Sequence, residues 1–469
     1  MSPALKGIVS IRGKSDDEIA GILKSRGFNI TPGEARRVVD LLGRDPTDVE
    51  LTIFNTMWSE HCSYKSSRAV LKEHLPTDAP NVVLGPGEDS GIIRFAPTGD
   101  GDWWCVVISH ESHNHPSQVL PVEGAATGIG GIVRDVYCMG ADVFGSLDPL
   151  RFGDPTGPKG QRAIAIARGV IEGIAQYGNA LGVPNLGGDV VFDRGYDDNC
   201  LVNVVAVGLV KESRVIRSRV PAAARVKPYK MILIGKPTDD SGFGGAAFAS
   251  EDLAGEEKAN RGAVQVPDPF LKRVLSEAMK KVFEAAERRG VEIGFKDLGA
   301  GGIACASSEL AHAGGFGVKL DLDKVNLALG HYPPAVVSCS ETQERYMMAV
   351  PVDFVDEVLR IYNEDFELPH IYQGAGAVVI GDVTSEPNYA IETAGSVVCS
   401  APVEVITTGI SYDRNARPRK RLFEEPELDP KRSLHDDFLS MIGSPNGTSK
   451  NYVFRRYDSE VQGRAVIRP

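Results

Sequence analysis

The hydrophobic and polar pattern near the start of the chain predicts two helices. Thr31 and Glu34 form the T-x-x-E pattern of a capping box, with Pro32 in the first turn and Gly43 as the stop. A second run of apolar residues at helical spacing covers residues 49–57 and ends in the segment MWSEHCSYKSS. The first part of the chain is therefore predicted to be helical.

Farther along, the pattern changes to strands and glycine-rich turns. We predict a compact α+β domain that begins near Val82 and ends near Glu212, because helices here alternate with strands of antiparallel type. Its predicted elements are a strand at 104–109, helices at 130–139 and 161–177, and a strand at 202–210.

A second region, of α/β type, begins with the strand MILIG at Met231. Its best helix pattern has Asp268 as N-cap, Pro269 at the first position and Gly290 as the stop. After about Val403 the composition becomes charged and rich in proline, which is typical of a linker. Before that linker, two further elements of the α/β region are predicted, a helix at 353–362 and a strand at 377–380.

These patterns divide the chain into four predicted regions. They are an N-terminal helical and linker region at 1–75, an α+β domain at 76–215, an α/β domain at 216–405, and a charged linker at 406–469. The last residues carry no capping element, so we expect the chain to continue into a further segment.

Composition and charge exclude several classes of protein. The 469 residues are 42% hydrophobic and 24% charged, as in a globular protein, and no stretch reaches the roughly 18 apolar residues of a membrane helix. The net charge of −12 argues against a nucleic-acid binder. The seven cysteines form no C-x-x-C pair, which predicts reduced thiols in the cytoplasm and no membrane partner.

The densest group of chemically active residues is the segment ESHNHPS at 111–117, directly after a predicted strand. If the segment stays extended, His113 and His115 share one face and Asn114 lies on the other. Imidazoles, an amide and hydroxyls at a strand end can bind oxygens and move protons. We therefore predict a site here rather than a loop that only packs.

Glycine-rich turns and carboxylates follow this segment. The glycines of 124–131 precede a predicted helix that carries Arg134, an arrangement that can bind an anion or can simply pack closely. Spacing alone allows Glu111, Asp135 and Asp297 to serve together as oxygen ligands of Mg²⁺.

Two further candidates are weaker. Gln265 lies just before the Asp268 cap, and the segment SETQER covers 340–345. Both could be explained by an exposed cap or a charged turn.

Six segments occur in one order over roughly residues 50–345, and together they resemble the phosphoribosylformylglycinamidine synthase family. They are MWSEHCSYKSS, ESHNHPS, GAATGIGGIVRD, QVPDPF, KDLGAGGI and SETQER. The resemblance, which is to the small PurL type, implies an aminoimidazole ribonucleotide synthetase-like fold, with a ferredoxin-like A domain followed by an α/β B domain. It also implies a ligase that converts formylglycinamide ribonucleotide (FGAR), ATP and ammonia to formylglycinamidine ribonucleotide, ADP and phosphate.

The resemblance assigns roles to fifteen residues. The active-site histidine is His61, and the proton acceptor is His113. Nucleotide contacts fall at Tyr64 and Ser109, and magnesium ligands at Glu111, Asp135 and Asp297. Substrate contacts fall at Ser112, Asn114, His115, Arg134, Gln265, Glu341, Thr342 and Gln343.

The chain departs from the family pattern at three points. The family usually has a lysine where this chain has Ser109, and the stretch 239–250 lacks the usual basic and imidazole residues. The family also continues into a second A–B half, and nothing in this sequence resembles it. The implied partners are the glutaminase subunit PurQ, the accessory subunit PurS, and either a second half or a second copy of this chain.

Three alternatives stay open at this point. A metal-dependent hydrolase could use His113 and His115 to bind zinc or manganese. A catalytically silent half could bind substrate and need a second chain. A Cys–His nucleophile at Cys62 and His61 has little support, because neighbours in sequence diverge on a helix.

Overall fold

The computed structural model describes residues 5–245, 264–415, 417, 425, 427, 431, 433–458, 460–463 and 466–467. Within these ranges the chain forms two mixed sheets with helices packed against them, which confirms the predicted mixture of α+β and α/β organisation. No helix in the described ranges is long and apolar enough to span a membrane.

Helices dominate the first 75 residues. They are α1 (Asp16–Ser25), α2 (Pro32–Leu42), α3 (Asp48–Met57), α4 (Glu60–Ser63) and α5 (Arg68–His74). Each of the first three begins with a capping box, formed by Ser15 with Glu18, Thr31 with Glu34, and Thr47 with Glu50. The predicted α2 is confirmed, including its stop at Gly43, whose φ is 67°.

The N-terminal helices join the core of the second sheet. Every residue of α3 after Asp48 is buried, and the carboxylate of Glu50 is fully enclosed. It accepts hydrogen bonds from Arg44 at 2.6 Å and from the backbone N–H of Ser400 at 2.8 Å. The Thr47 hydroxyl donates to the carbonyl of Val398 at 2.5 Å. Residues 44–50 are thus packed against residues 398–400.

The first sheet has six strands in the order β1-β2-β3-β6-β4-β5. The strands are β1 (Val82–Leu84), β2 (Gly91–Pro97), β3 (Trp103–Ser112), β4 (Asp142–Phe152), β5 (Asn185–Phe192) and β6 (Leu201–Lys211). Only β4 and β5 pair in parallel. Three helices accompany it: α6 (Asn114–Val119), α7 (Pro121–Cys138) and α8 (Gly160–Leu181). The core between sheet and helices is apolar, and β6 alternates buried and half-buried residues along its whole length.

The opposite face of the first sheet carries large apolar side chains that are exposed. Phe95 is 72% exposed, Ile108 42%, and Ile93 and Trp104 37% each. Ile93 faces Val106 across β2 and β3. Apolar patches of this kind mark interaction surfaces. We call these four exposed residues and Val106 the outer face.

The second sheet has seven strands in the order β13-β12-β9-β11-β7-β10-β8. The strands are β7 (Tyr229–Gly235), β8 (Gly294–Asp297), β9 (Gly317–Asp321), β10 (Arg345–Pro351), β11 (Gly376–Thr384), β12 (Asn388–Thr393) and β13 (Ser396–Pro402). Its helices are α9 (Pro269–Arg289), α10 (Gly302–Gly314), α11 (Pro334–Cys339), α12 (Val355–Arg360), α13 (Leu368–Ile371) and α14 (Val403–Thr407). The predicted α9 is confirmed, with Asp268 as its cap and Gly290 as its left-handed stop.

The C-terminal segment, predicted as a linker, contains two helices in its described part. They are α15 (Leu434–Gly443) and α16 (Asn451–Phe454). The side chain of Asn446 makes two hydrogen bonds with the backbone of Phe192 in β5, at 2.7 and 3.0 Å. Val453 is buried in the first core. This segment therefore packs on the edge of the first sheet, while most of the charged stretch before it lies outside the described residues.

A buried carboxyl group lies beneath this C-terminal segment. Asp148 in β4 is 3% exposed, and the Asn185 amide donates to one of its oxygens. The other oxygen finds no hydrogen-bond partner among the described residues. Burial raises the pKa of Asp148 to about 8, so this side chain is mostly protonated at neutral pH.

Replacing Asp148 should change how stability depends on pH. Its folded-state pKa lies above its ordinary value of 3.8, so its contribution is complete at low pH and is lost as pH rises through about 8. Asp148→Asn keeps an acceptor oxygen but cannot ionise. Between pH 5 and pH 8 the variant should gain about 3 kcal/mol over the wild type in the free energy of unfolding, measured by urea titration.

The exposed Asp189 on neighbouring strand β5 offers a matched control. Asp189→Asn should show no such gain between the two pH values, since this carboxylate remains in water beside Arg151. A difference between Asp148→Asn and wild type that is equal at pH 5 and pH 8 would contradict the assignment.

Candidate active site

A cavity of about 330 Å³ lies where the two sheets meet, next to the C-terminal ends of β3 and β8. Twelve of the fifteen residues singled out in the sequence line it. They are His61, Glu111, Ser112, His113, Asn114, His115, Arg134, Asp135, Gln265, Asp297, Glu341 and Gln343. Segments more than 200 residues apart in sequence therefore converge on one site, although the role of each residue stays a proposal.

The segment ESHNHPS is not extended throughout. Strand β3 ends at Ser112, and α6 begins at Asn114, so the expectation that His113 and His115 share one face of a strand was wrong. The chain turns because the Asn114 side chain accepts a hydrogen bond from the backbone N–H of Val202 at 2.8 Å. The Ser117 hydroxyl donates to the carbonyl of His113 at 2.5 Å and closes the turn.

The surroundings of His113 fix its tautomer. Its Nδ1 lies 2.5 Å from the carbonyl oxygen of Gly124, and a carbonyl can only accept. Nδ1 therefore carries the proton, which leaves Nε2 as an acceptor. Burial lowers the pKa of His113 to about 4, so the ring is neutral at physiological pH. His113 is thus arranged to accept a proton through Nε2.

The glycine cluster at 124–131 lies inside helix α7 and not in a turn ahead of it, so the structure favours close packing among the two alternatives that the sequence left open. Close packing explains the glycines instead. A Cβ at Gly124 would lie 2.5 Å from the backbone of Pro116, and one at Gly128 would lie 3.2 Å from Cβ of His113. At Gly130 it would lie 2.7 Å from the Tyr177 hydroxyl. These contacts seat α6 and α8 against α7.

Substitution of Gly130 should therefore destabilise the fold. Gly130→Ala places a methyl group against the hydroxyl and ring of the buried Tyr177, and overpacking of this kind costs about 1–3 kcal/mol. Chemical denaturation measures the loss. Gly131→Ala, next in the same helix, would meet nothing closer than 3.7 Å and should be neutral or slightly stabilising. Equal stabilities of the two variants would refute the packing explanation.

The segment SETQER is shaped by a buried arginine. Arg345 is fully buried, and its guanidinium donates to the carbonyl oxygens of Ser340 and Thr342, at 2.7 and 2.9 Å. This clamp holds the turn so that Glu341 and Gln343 face the cavity. A Cβ at Gly302, the first residue of α10, would collide with the carbonyl of Ser340, so only glycine fits there.

Gln265 presents a free acceptor to the cavity. Its Nε2 donates to Glu341 at 2.6 Å, whereas its Oε1 is buried with no hydrogen-bond partner among the described residues. A buried amide oxygen without a partner is costly unless a ligand donates to it. Gln265 and Glu341 together are therefore suited to bind a polar ligand that carries N–H or O–H groups.

Arg134 joins the two sheets at the bottom of the cavity. It is 2% exposed, donates to Gln343, and lies 3.4 Å from the Asp297 carboxylate. One residue beyond Gln343, the carboxylate of Glu344 accepts a hydrogen bond from the Tyr177 hydroxyl at 2.9 Å. These contacts hold the guanidinium on the side of the second sheet.

The candidate magnesium ligands lie close enough for their charges to interact, but they do not form a closed cluster. Burial raises the pKa of Asp135 well above its ordinary value, and the nearby charges of Asp297 and Glu111 raise it further. Among the described residues, no group of three or more His, Cys, Asp or Glu side chains is placed to hold a metal ion. The donors fit Mg²⁺ in type, since Mg²⁺ takes a few carboxylates and completes its shell with water and phosphate.

Three predicted residues do not line the cavity. The Thr342 hydroxyl donates to Asp239 at 2.6 Å and points into the neighbouring turn. Ser109 is buried, with its hydroxyl 3.1 Å from Asp135. Tyr64 is 55% exposed at the end of α4, where φ is 51°.

Several lining residues were missed by the sequence reasoning. The most important are Lys296 and Glu309, which form an ion pair at 3.0 Å. Lys296 stands inside the motif KDLGAGG beside Asp297, so its position was a usable signal. Glu309 lies in the middle of α10, where the sequence offers no sign that it faces a cavity.

Cys62 also lines the cavity, but its surroundings oppose a nucleophile. Burial raises the pKa of the Cys62 thiol far above its ordinary value, and no cationic neighbour offsets that effect among its main influences. A reactive cysteine needs the opposite shift.

Three family models match the chain. The formylglycinamide ribonucleotide amidotransferase linker domain matches residues 19–65. The N-terminal domain of AIR synthase related protein matches residues 87–210, and the C-terminal domain of that protein matches residues 230–393.

Whole-chain comparisons agree with these matches. The chain is 54% identical over 462 residues to the phosphoribosylformylglycinamidine synthase subunit PurL of Methanothrix thermoacetophila, over 98% of this chain and 59% of that relative. It is similar to the solved structure of Thermotoga maritima PurL complexed with FGAR, with TM-score 0.69, 32% identity, and coverage of 89% and 62%. The T. maritima complex with ATP gives TM-score 0.68, 29% identity, and coverage of 91% and 61%. The chain thus spans about three fifths of the length of these relatives.

Proposed function

We propose an activity from the premise that this chain belongs to the phosphoribosylformylglycinamidine synthase subunit PurL family. The proposed reaction joins ammonia to formylglycinamide ribonucleotide at the expense of ATP and yields formylglycinamidine ribonucleotide, ADP and phosphate. The observation that carries the proposal is the convergence of twelve candidate residues from both sheets on one cavity. The two T. maritima structures are complexes with FGAR and with ATP, which fit this reaction.

The residues present suit phosphoryl transfer. In the proposed sequence the substrate's amide oxygen takes the γ-phosphoryl group of ATP, and ADP leaves. Ammonia then adds to the activated carbon, loses a proton, and phosphate departs. Such chemistry depends on positioning and on neutralisation of charge more than on a covalent nucleophile. His113, neutral and with Nε2 unprotonated, would accept the proton from the attacking nitrogen.

The remaining residues would bind the substrate and a metal ion. Substrate contacts are proposed for Ser112, Asn114, His115, Arg134, Gln265, Glu341 and Gln343, all on the cavity wall. Glu111, Asp135 and Asp297 would hold Mg²⁺, which would neutralise the nucleotide phosphates when bound. His61, on α4, would be the further active-site histidine. Tyr64 and Ser109 would contact the nucleotide, and Thr342 the substrate, from outside the cavity wall.

A metal-dependent hydrolase is not favoured. That alternative needs His113 and His115 to bind one metal ion together, yet Nδ1 of His113 donates to Gly124 and the two residues do not share a strand face. The described residues also provide no cluster of three His, Cys, Asp or Glu side chains for such an ion.

Partners follow from the family and from the outer face. We propose that a glutaminase subunit, PurQ, supplies ammonia and that PurS joins the complex, in the cytoplasm. We also propose that a second A–B unit covers the outer face of the first sheet, where Phe95 and Ile108 are exposed. That unit would be a second half or a second copy of this chain.

The activity can be tested by ADP formation. With Mg-ATP, ammonium and FGAR, the chain should release ADP only when FGAR is present. His113→Ala should lower turnover by about 10²- to 10⁴-fold, the range for loss of a general base. A matched control is His110→Ala, since His110 is exposed on β3 and lies outside the cavity wall. Unchanged turnover in His113→Ala would remove this residue from the mechanism.

The result also separates the two forms of the proposal. If the chain releases ADP without any other protein, its own residues suffice for the reaction, in one copy or in two. If it binds FGAR but releases no ADP, it is a substrate-binding half that requires a second unit. If it neither binds FGAR nor releases ADP, the proposed function is wrong.

The outer face can be tested by sedimentation. If a second copy covers it, the wild-type sedimentation coefficient should rise with protein concentration, and Ile108→Asp should abolish that rise by placing a charge in the apolar interface. Val226→Asp is the control, because Val226 is 87% exposed and lies outside both sheets. A wild-type chain that stays monomeric at high concentration would exclude self-pairing.

A further inference from the structure

The described wall of the cavity contains two permanently charged cationic side chains, Arg134 and Lys296. Arg134 is engaged by Gln343 and Asp297 at the side of the second sheet. Lys296 is the third residue of β8, and its side chain is 10% exposed. Its amine pairs with Asp89 and lies 3.0 Å from a carboxylate oxygen of Glu309. Lys296 is therefore bound to a different pair of carboxylates, those of Asp89 and Glu309.

Lys296 and Ser109 approach Asp89 from two different sheets. The Ser109 hydroxyl lies 3.1 Å from the Asp135 carboxylate and 3.4 Å from the backbone carbonyl of Asp89. The amine of Lys296 pairs with the side chain of that same Asp89. A lysine at position 109, which the family usually has, would thus lie beside the charge that Lys296 now provides.

The charge balance of the cavity favours a second role for Lys296, in addition to its ion pair with Asp89. Carboxylates on the wall outnumber the two cations: they are Glu111, Asp135, Asp297, Glu309 and Glu341. A cation on the wall attracts an anionic phosphate that enters such a site, in addition to any Mg²⁺ that the carboxylates would hold. A lysine amine has three donors, so it can keep one carboxylate and still donate to a phosphate oxygen.

We propose that Lys296 is the cationic contact for the nucleotide phosphates and that it replaces, from β8, the lysine that is missing at position 109 on β3. The proposal rests on the proposed function, because it assumes that a nucleotide enters this cavity. It adds a residue to the nucleotide site and explains how the chain tolerates Ser109. The competing explanation is that Lys296 only neutralises the buried Asp89.

Calorimetric titration with Mg-ADP distinguishes the two explanations. Lys296→Gln should weaken the affinity for Mg-ADP by about tenfold to a hundredfold, the range for one charge-assisted hydrogen bond. The double variant Ser109→Lys/Lys296→Gln places a lysine beside Asp89 and Asp135 and should bind within about threefold of wild type. Lys319→Gln is the matched control, because Lys319 pairs with Glu392 at 2.9 Å on the same sheet but outside the cavity wall.

Urea unfolding of each variant keeps the test decisive. Lys296→Gln is expected to lose some stability, since Asp89 loses its partner, and the double variant should recover it. Folded Lys296→Gln protein with wild-type affinity would overturn the proposal and leave the proposed function intact. A double variant that stays as weak as Lys296→Gln would overturn it as well. A wild-type chain that binds no Mg-ADP would instead contradict the proposed nucleotide site itself.

Discussion

The junction between the two sheets depends on the buried carboxylate of Glu344. Its backbone adopts a left-handed conformation with φ of 59°, which is unfavourable for a residue other than glycine. The side chain is held by the Tyr177 hydroxyl of the first unit and by Lys272 of the second, 3.5 Å away and fully buried. Gln343, the residue before Glu344, accepts a hydrogen bond from Arg134. The contacts that hold Glu344 therefore also keep this partner of Arg134 in place.

The same junction is costly to maintain. Burial lowers the pKa of Lys272 to about 7, although the charge of Glu344 opposes that shift. Lys272 also lies over the ring of Tyr346, 4.8 Å from its centre. A charged pair in such a place is weak evidence for stability, but removal of one partner leaves an uncompensated charge. We interpret the pair as a device that fixes how the two sheets meet, and hence the width of the cavity between them.

Local signals in the sequence predicted local structure well. The capping box of α2 and the Asp268 cap of α9 were visible because each depends on residues within four positions. The family resemblance also predicted which segments converge, since twelve of the fifteen residues that it assigned line one cavity. The predictions that failed depend on contacts between residues that are far apart in the sequence. The turn after Ser112 requires Val202, and Gly130 of α7 is required by Tyr177, so neither could be found from spacing alone.

The burial of α3 has a consequence for synthesis of the chain. Thr47 and Glu50 find their outer partners at Val398 and Ser400, about 350 positions later. A ribosome that adds about 5–20 residues per second needs on the order of 20–70 s to cover that distance. During this time the apolar surface of α3 lacks the strand that buries it, and Glu50 has its local partners, Arg44 and the backbone N–H of Thr47. Helix α3 can therefore complete its packing only after β13 has been made, although it is itself among the first elements to be synthesised.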